Sequence, residues 1–117
     1  MIRIESVLVA DEIEQECLDL LNSKGIKVEK KNKLSKNELI EELKNFDAVL
    51  VRSATKITGE IIQASAGKLK LIGRAGTGVD NIDVKTATEY GIVVMNTPGW
   101  FKNFKNYFKN ERKKAIR

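Results

Sequence analysis

Three short strings in this 117-residue chain have residue types suited to chemistry: Arg52-Ser53, Gly73-Arg74-Ala75-Gly76-Thr77-Gly78 and Asn96-Thr97. Arginine carries a planar fork of donors that matches phosphate or carboxylate in a bidentate contact, and glycines such as Gly76 and Gly78 let backbone N–H groups approach an oxyanion closely. Arg52, Ser53, Arg74 and Gly76 therefore outline an anion site. The same residues also fit a plainer account, in which the arginines are solvated or sit in surface ion pairs and the glycines only turn the chain.

The composition removes other chemistry. With no histidine and one cysteine, Cys17, the chain has no disulfide framework, no His-based or multi-Cys metal cluster, and no Ser-His-Asp or Cys-His nucleophile pair. Cys17 reads as a small buried apolar residue of a helix. Gly76-Thr77-Gly78-Val79-Asp80-Asn81 begins like a dinucleotide fingerprint, but its last position is Asn and no acidic partner follows at the required distance. No Gly-Lys-Ser/Thr follows Gly73, which excludes a P-loop. Asp80 and Asp83 are a turn residue and a helix cap sooner than an acid/base pair, so no catalytic residue and no metal site is assigned.

The elements that must position these strings follow from hydrophobic patterning. Val7 to Ala10 reads as a strand feeding a helix, with Ile13, Cys17, Leu20 and Leu21 on one face, Asp11 capping it, Glu14 completing a capping-box-like pair and Gly25 closing it. A second strand is expected around Ile26 to Val28. Ser35-Lys36-Asn37-Glu38 is a capping box, with Leu34 and Leu39 as its hydrophobic staple. Ala48 to Val51 is apolar throughout, as a strand buried on both faces requires, and ends at Arg52-Ser53. Thr58 caps a short helix with Ile61, Ile62 and Ala66. Leu69 to Ile72 forms a strand stopping at Gly73-Arg74, a helix runs from Asp83 to Gly91, and Ile92 to Met95 makes a fifth strand leading into Asn96-Thr97.

Five strands alternating with four helices predict an α/β fold, an open parallel five-stranded sheet with helices on both faces and the flavodoxin-like order 2-1-3-4-5. Ligands of such sheets bind beyond the carboxyl ends of the strands, where all three strings fall.

The net charge of +5 is unevenly spread. Residues 1–99 have a net charge of −1, and residues 100–117 have +6 together with Trp100, Phe101, Phe104, Tyr107 and Phe108. No nucleic-acid partner is expected of the body, and Lys30-Lys31-Asn32-Lys33 reads as a solvated loop. No apolar run is long enough to span a membrane and no signal-peptide core is visible, so a cytoplasmic location is expected.

The strings Val51-Arg52-Ser53-Ala54-Thr55-Lys56, Gly73 through Asp83, and Gly91 through Pro98 resemble the N-terminal substrate-binding domain of the D-2-hydroxyacid dehydrogenase family. Within it, the run Arg74-Ala75-Gly76-Thr77-Gly78-Val79-Asp80-Asn81 is most similar to that of the D-3-phosphoglycerate dehydrogenases. The resemblance implies NAD-dependent oxidation of 3-phosphoglycerate to 3-phosphohydroxypyruvate in serine biosynthesis. It further implies that Arg52 and Arg74 hold the substrate phosphate with Ser53 and Gly76 alongside, that Thr77 approaches NAD, and that Asn96-Thr97-Pro98 forms a hinge.

The resemblance covers residues 1–99 and stops after Pro98, where Gly99-Trp100-Phe101 replaces the family's Gly-Asn and long helix. The family's nucleotide-binding fingerprint and catalytic Arg, Glu and His are not found. The expectation is an incomplete substrate-binding domain, inactive alone, with 3-phosphoglycerate as ligand and a full-length dehydrogenase subunit as a candidate partner. For residues 100–117 three accounts stand side by side, one of them that the apolar face of the tail docks on sheet surface left bare by the absent domain. Another is an out-of-frame or alternative terminus. The third is a basic amphipathic helix serving a noncatalytic module that engages an anionic membrane, nucleic acid or a protein.

Overall fold

Ala48 to Val51 has no polar side chain, so it can only be satisfied with both faces covered, and it forms the centre of the sheet. In a computed structural model describing residues 4–75 and 80–97, the order is β1 (Ser6–Val9), α1 (Gln15–Ser23), β2 (Lys27–Lys30), α2 (Lys36–Leu43), β3 (Ala48–Val51), α3 (Gly59–Ser65), β4 (Leu71–Ala75), α4 (Val84–Glu89) and β5 (Val93–Thr97). Gly76, Thr77, Pro98 and the basic tail lie outside the described residues. The strands are all parallel and ordered β2-β1-β3-β4-β5, the predicted arrangement.

Strand alternation divides the core in two. Leu8, Val49, Val51 and Ile72 point to one face, where they pack with Leu39 and Leu43 of α2, Ile61 and Ile62 of α3, and Ala87 of α4. Val7, Val9, Ala48, Leu50 and Leu71 point to the other, against Cys17, Leu18 and Leu21 of α1. Burial pushes the Cys17 thiol up to about 12, with the Glu14 charge adding, so it stays protonated and inert at neutral pH.

Two helices end alike. At the end of α1 the Gly25 N–H donates to Asn22 O and the Ile26 N–H to Leu21 O; at the end of α4 the Gly91 N–H donates to Thr88 O and the Ile92 N–H to Ala87 O. Each is a Schellman closure with glycine at positive φ, +80° at Gly25 and +73° at Gly91, followed by a buried isoleucine entering the next strand. At the starts of helices, Ser35 and Glu38 form the predicted reciprocal box, Thr58 accepts from the Ile61 N–H, and Asp83 accepts from the Thr86 N–H and hydroxyl.

Four expectations are corrected. Asp11 does not cap α1: Glu14 occupies that place without a side-chain hydrogen bond, because Asp11 is drawn into the sheet by donors from the loop after β3. Ser65, not Ala66, faces the core from α3; its hydroxyl donates to Ile61 O, which makes burial tolerable. On α1 it is Leu18 that is buried with Cys17 and Leu21, while Leu20 is only partly covered. Finally, β4 and β5 continue past their apolar runs, since the pairs Gly73↔Met95, Arg74↔Asn96 and Ala75↔Thr97 extend the ladder into polar sequence. Arg74 therefore lies within a strand.

Among the described residues no helix is long and apolar enough to cross a membrane, and no group of three or more His, Cys, Asp or Glu side chains could hold a metal ion.

Gly25→Ala and Gly91→Ala should each destabilise the chain by about 1–2 kcal/mol, the cost of a left-handed residue with a Cβ, read as a lowered urea midpoint with an unchanged slope. Hydrogen bonds from Ser35 hold Glu38 below its ordinary 4.5, and hydrogen bonds from Thr86 hold Asp83 below its ordinary 3.8. A carboxylate depressed in the native state contributes stability above its unfolded pKa and loses it as pH falls through its native one. Glu38→Gln and Asp83→Asn should therefore flatten the decline in melting temperature below pH 4.5, and leave its shape near neutrality unchanged.

Candidate functional site

The strand order reverses between β1 and β3: β1 is followed in space by β2 on one side and β3 on the other. At this point the connections leaving adjacent strands diverge and open a crevice at the carboxyl edge. The turn after β3, residues 52–55, lies at its centre and is held from two directions.

From the β1 side comes Asp11, a carboxylate only 7% exposed. Its Oδ2 accepts from the Arg52 N–H at 2.6 Å and the Thr55 N–H at 3.1 Å, and its Oδ1 accepts from the Thr55 hydroxyl. From the opposite side, the Asn81 amide Nδ2 donates to the carbonyls of Arg52 at 2.7 Å and Thr55 at 2.6 Å. The Asn81 segment is itself fixed to the same loop. The Ile57 N–H donates to Asn81 O at 2.8 Å and the Asp83 N–H to Ile57 O at 2.9 Å, forming a parallel bridge between Ile57 and Ile82. Gly59 lies so close to the Asp83 carboxylate that a Cβ there would come within 2.7 Å of its Oδ2. Every backbone group at the two ends of the turn that these side chains reach is thus paired, which is what holding a buried carboxylate requires.

Arg52 and Ser53 project from this turn into an open cleft of about 820 Å³, bordered also by Lys33, Lys36, Lys56 and Glu12. Arg52 is exposed, and its Nη1 reaches Glu12 O at 3.4 Å. Glu12 pairs with Lys30 at 3.0 Å, and this contact lowers its pKa. Lys36 and Glu60 pair across the cleft mouth between α2 and α3. Lys33, at φ +58°, is a non-glycine residue in the left-handed region on the rim.

Arg74 sits differently. It is half-buried inside β4, in register with Val51 on one side and Asn96 on the other. Alternation places it on the same face as Ile72 and Val51. Arg74 is not among the residues lining the Arg52 cleft. The structure thus brings Arg52, Ser53 and Arg74 to one edge, with Arg52 and Ser53 lining the cleft from the turn after β3 and Arg74 beside them in the adjacent strand β4. Gly76 and Thr77 lie outside the described residues.

The two residues that hold the turn, Asp11 and Asn81, were not picked out from sequence as part of a site. Asp11 follows the apolar run of β1 just as Arg52 follows that of β3, which is the signal that could have marked it. Nothing local distinguishes Asn81, whose partners lie 26 and 29 positions away.

The family profile of the D-isomer specific 2-hydroxyacid dehydrogenase catalytic domain matches residues 7–112. The D-3-phosphoglycerate dehydrogenase of Archaeoglobus fulgidus is 53% identical over 93 residues, and that of Homo sapiens 50% identical over 95 residues. These alignments take in 80% and 81% of this chain, which spans only 18% of the length of either relative. Among solved structures, a protein from Pyrococcus horikoshii OT3 superposes with a TM-score of 0.75 at 35% identity, over 83% of this chain and 28% of its own. The NAD+-bound 3-phosphoglycerate dehydrogenase of Entamoeba histolytica superposes with a TM-score of 0.72 at 36% identity, over 83% and 34% respectively. With its parallel sheet in the 2-1-3-4-5 order and a profile match across most of its length, the chain belongs to the D-isomer specific 2-hydroxyacid dehydrogenase family.

Proposed function

We propose that this chain carries the phosphate-holding part of a D-3-phosphoglycerate dehydrogenase, the NAD-dependent enzyme that oxidises 3-phosphoglycerate to 3-phosphohydroxypyruvate. The observation that supports this most directly is the arrival of Arg52, Ser53 and Arg74 together at the carboxyl edge, next to the reversal of strand order. Identity of about half with D-3-phosphoglycerate dehydrogenases supports the choice of substrate.

Each residue has a definite task in this reading. Arg52, exposed on a turn fixed at both ends, offers its guanidinium fork to the phosphate, and the Ser53 hydroxyl adds a donor. Arg74 contributes a second cation from the adjacent strand, and Gly76 allows the backbone after β4 to come close. Two guanidinium groups match the charge of a phosphoryl group better than one and fix its orientation.

NAD supplies the hydride acceptor in this reaction. The described residues do not fit its pyrophosphate: the turn after β1 presents Asp11 and Glu12 where a dinucleotide site needs glycines and a helix N-terminus free of negative charge. In this reading Thr77 approaches the cofactor. Since the sequence contains no histidine, these residues bind the substrate and do not turn it over by themselves. A full-length dehydrogenase subunit is the partner, and the cytoplasm the compartment, that accompany this function.

Titration of the 117-residue chain with 3-phosphoglycerate at low salt, followed by calorimetry or amide shifts, should give saturable binding that inorganic phosphate competes away and added salt weakens. Arg52→Ala and Arg74→Ala should each lower the affinity by about 10- to 100-fold, the 1.5–3 kcal/mol of a hydrogen-bonded charge. No reduced nicotinamide should form when NAD is added. A chain that ignores 3-phosphoglycerate, or arginine variants that bind as the parent does, would overturn the assignment.

A further inference from the structure

We infer that Asp11 and Asn81 are the positioning residues of the anion site, acting on the ligand through the turn 52–55 and not by contact with it. The inference rests on the anion-binding role proposed above and adds to it the two side chains that shape the site.

The geometry supports this in three ways. First, the two side chains are complementary and act on the same two residues. Asp11 takes the N–H groups of Arg52 and Thr55, while Asn81 gives to the carbonyls of Arg52 and Thr55. Both ends of the turn are thus saturated by side chains arriving from separate elements, one before α1 and one before α4. Second, among the described residues the two central positions, Ser53 and Ala54, make no hydrogen bond, and both are exposed. A turn held at its ends with unpaired N–H groups and a hydroxyl at its middle is arranged to receive acceptors, which is the polarity an anion brings. Third, the arrangement separates charge from ligand. Asp11 is an anion close to an anion site, and it is tolerated because its oxygens are consumed by three donors and the carboxylate is buried under the turn.

Isosteric exchanges preserve volume while changing which atoms donate; they also shift the charge by one unit, in opposite directions for Asn81→Asp and Asp11→Asn, so weakened binding in both separates the holding of the turn from charge alone. In Asn81→Asp, a carboxylate faces the Arg52 and Thr55 carbonyls, and the two donated hydrogen bonds become repulsions. Asp11→Asn likewise can turn an amide against the N–H groups it should accept from. The probe is 3-phosphoglycerate, with inorganic phosphate as a second ligand, and folding is followed in parallel by thermal melting. Asn81→Asp should weaken both ligands by about tenfold or more while the chain remains folded. Amide exchange at Arg52 and Thr55 should quicken without a matching change in β1 or β4.

A double-mutant cycle separates positioning from general destabilisation. If Asn81 acts through Arg52, Asn81→Asp should cost much less in the Arg52→Ala background than in the parent, whereas a purely structural loss adds. If Asn81→Asp unfolds the chain, Asp11→Asn takes its place in the same cycle. Weakened binding in Arg52→Ala with parental binding in both Asn81→Asp and Asp11→Asn would overturn this inference and leave the proposed function standing, as would additive losses. Parental binding in Arg52→Ala, or no binding by the parent chain, would remove the anion-site reading and this inference with it.

Discussion

The pairing of β1 with β3 is the constraint on which the remaining structure depends, and it is locked at both ends by a carboxylate. Asp11, just after β1, reaches across to the backbone just after β3, where it accepts from Arg52 and Thr55. Asp47, just before β3 and 5% exposed, reaches back to the backbone just before β1, accepting from the Glu5 and Ser6 N–H groups. Each strand lends the other a buried anion at one end. A slip of one residue would leave either carboxylate facing apolar side chains without donors, at a cost of several kcal/mol. The register Val7↔Ala48, Leu8↔Val49 and Val9↔Leu50 is thereby fixed by polar groups, between paired residues whose own side chains are all apolar. Because this pair also marks the reversal of strand order, the lock at its carboxyl end shapes the functional edge.

What could be read from sequence divides along physical lines. Signals confined to a few neighbouring residues survive: the box of Ser35 and Glu38, the caps Thr58 and Asp83, and the glycines that close α1 and α4. Apolar runs also survive as strands, and their alternation with helices sufficed for the topology. Apart from the exact faces of α1 and α3, what fails is what depends on a distant partner. Asp11 has the composition of a helix cap, but it finds three donors more than forty positions away and leaves α1 uncapped. The ends of β4 and β5 show the same effect. Gly73 and Arg74 read as a strand terminus until Met95 and Asn96 pair with them. Of the candidate site, the position of Arg52 and Ser53 at the end of β3 was legible because a charge after a buried strand is conspicuous, and the contacts of Asn81 were not, because they exist only when Arg52 and Thr55 are beside it.

The charge along the carboxyl edge changes sign from one turn to the next. In a parallel sheet every strand ends at the same edge, so each turn there is a candidate anion site on backbone grounds alone. The turn after β1 is closed to phosphate by Asp11 and Glu12, the first buried and the second paired with Lys30. The turn after β3 and the end of β4 bear Arg52 and Arg74 instead. The acidic turn has a structural use, since without Asp11 the basic turn beside it would lose the acceptors of its Arg52 and Thr55 N–H groups. The first turn of this edge, where open-sheet domains usually bind a dinucleotide, is acidic, and the guanidinium groups lie one and two strands away. The same carboxylate that sets the register of the central strands also holds the basic turn, so the shape of this edge and the stability of the fold have to change together.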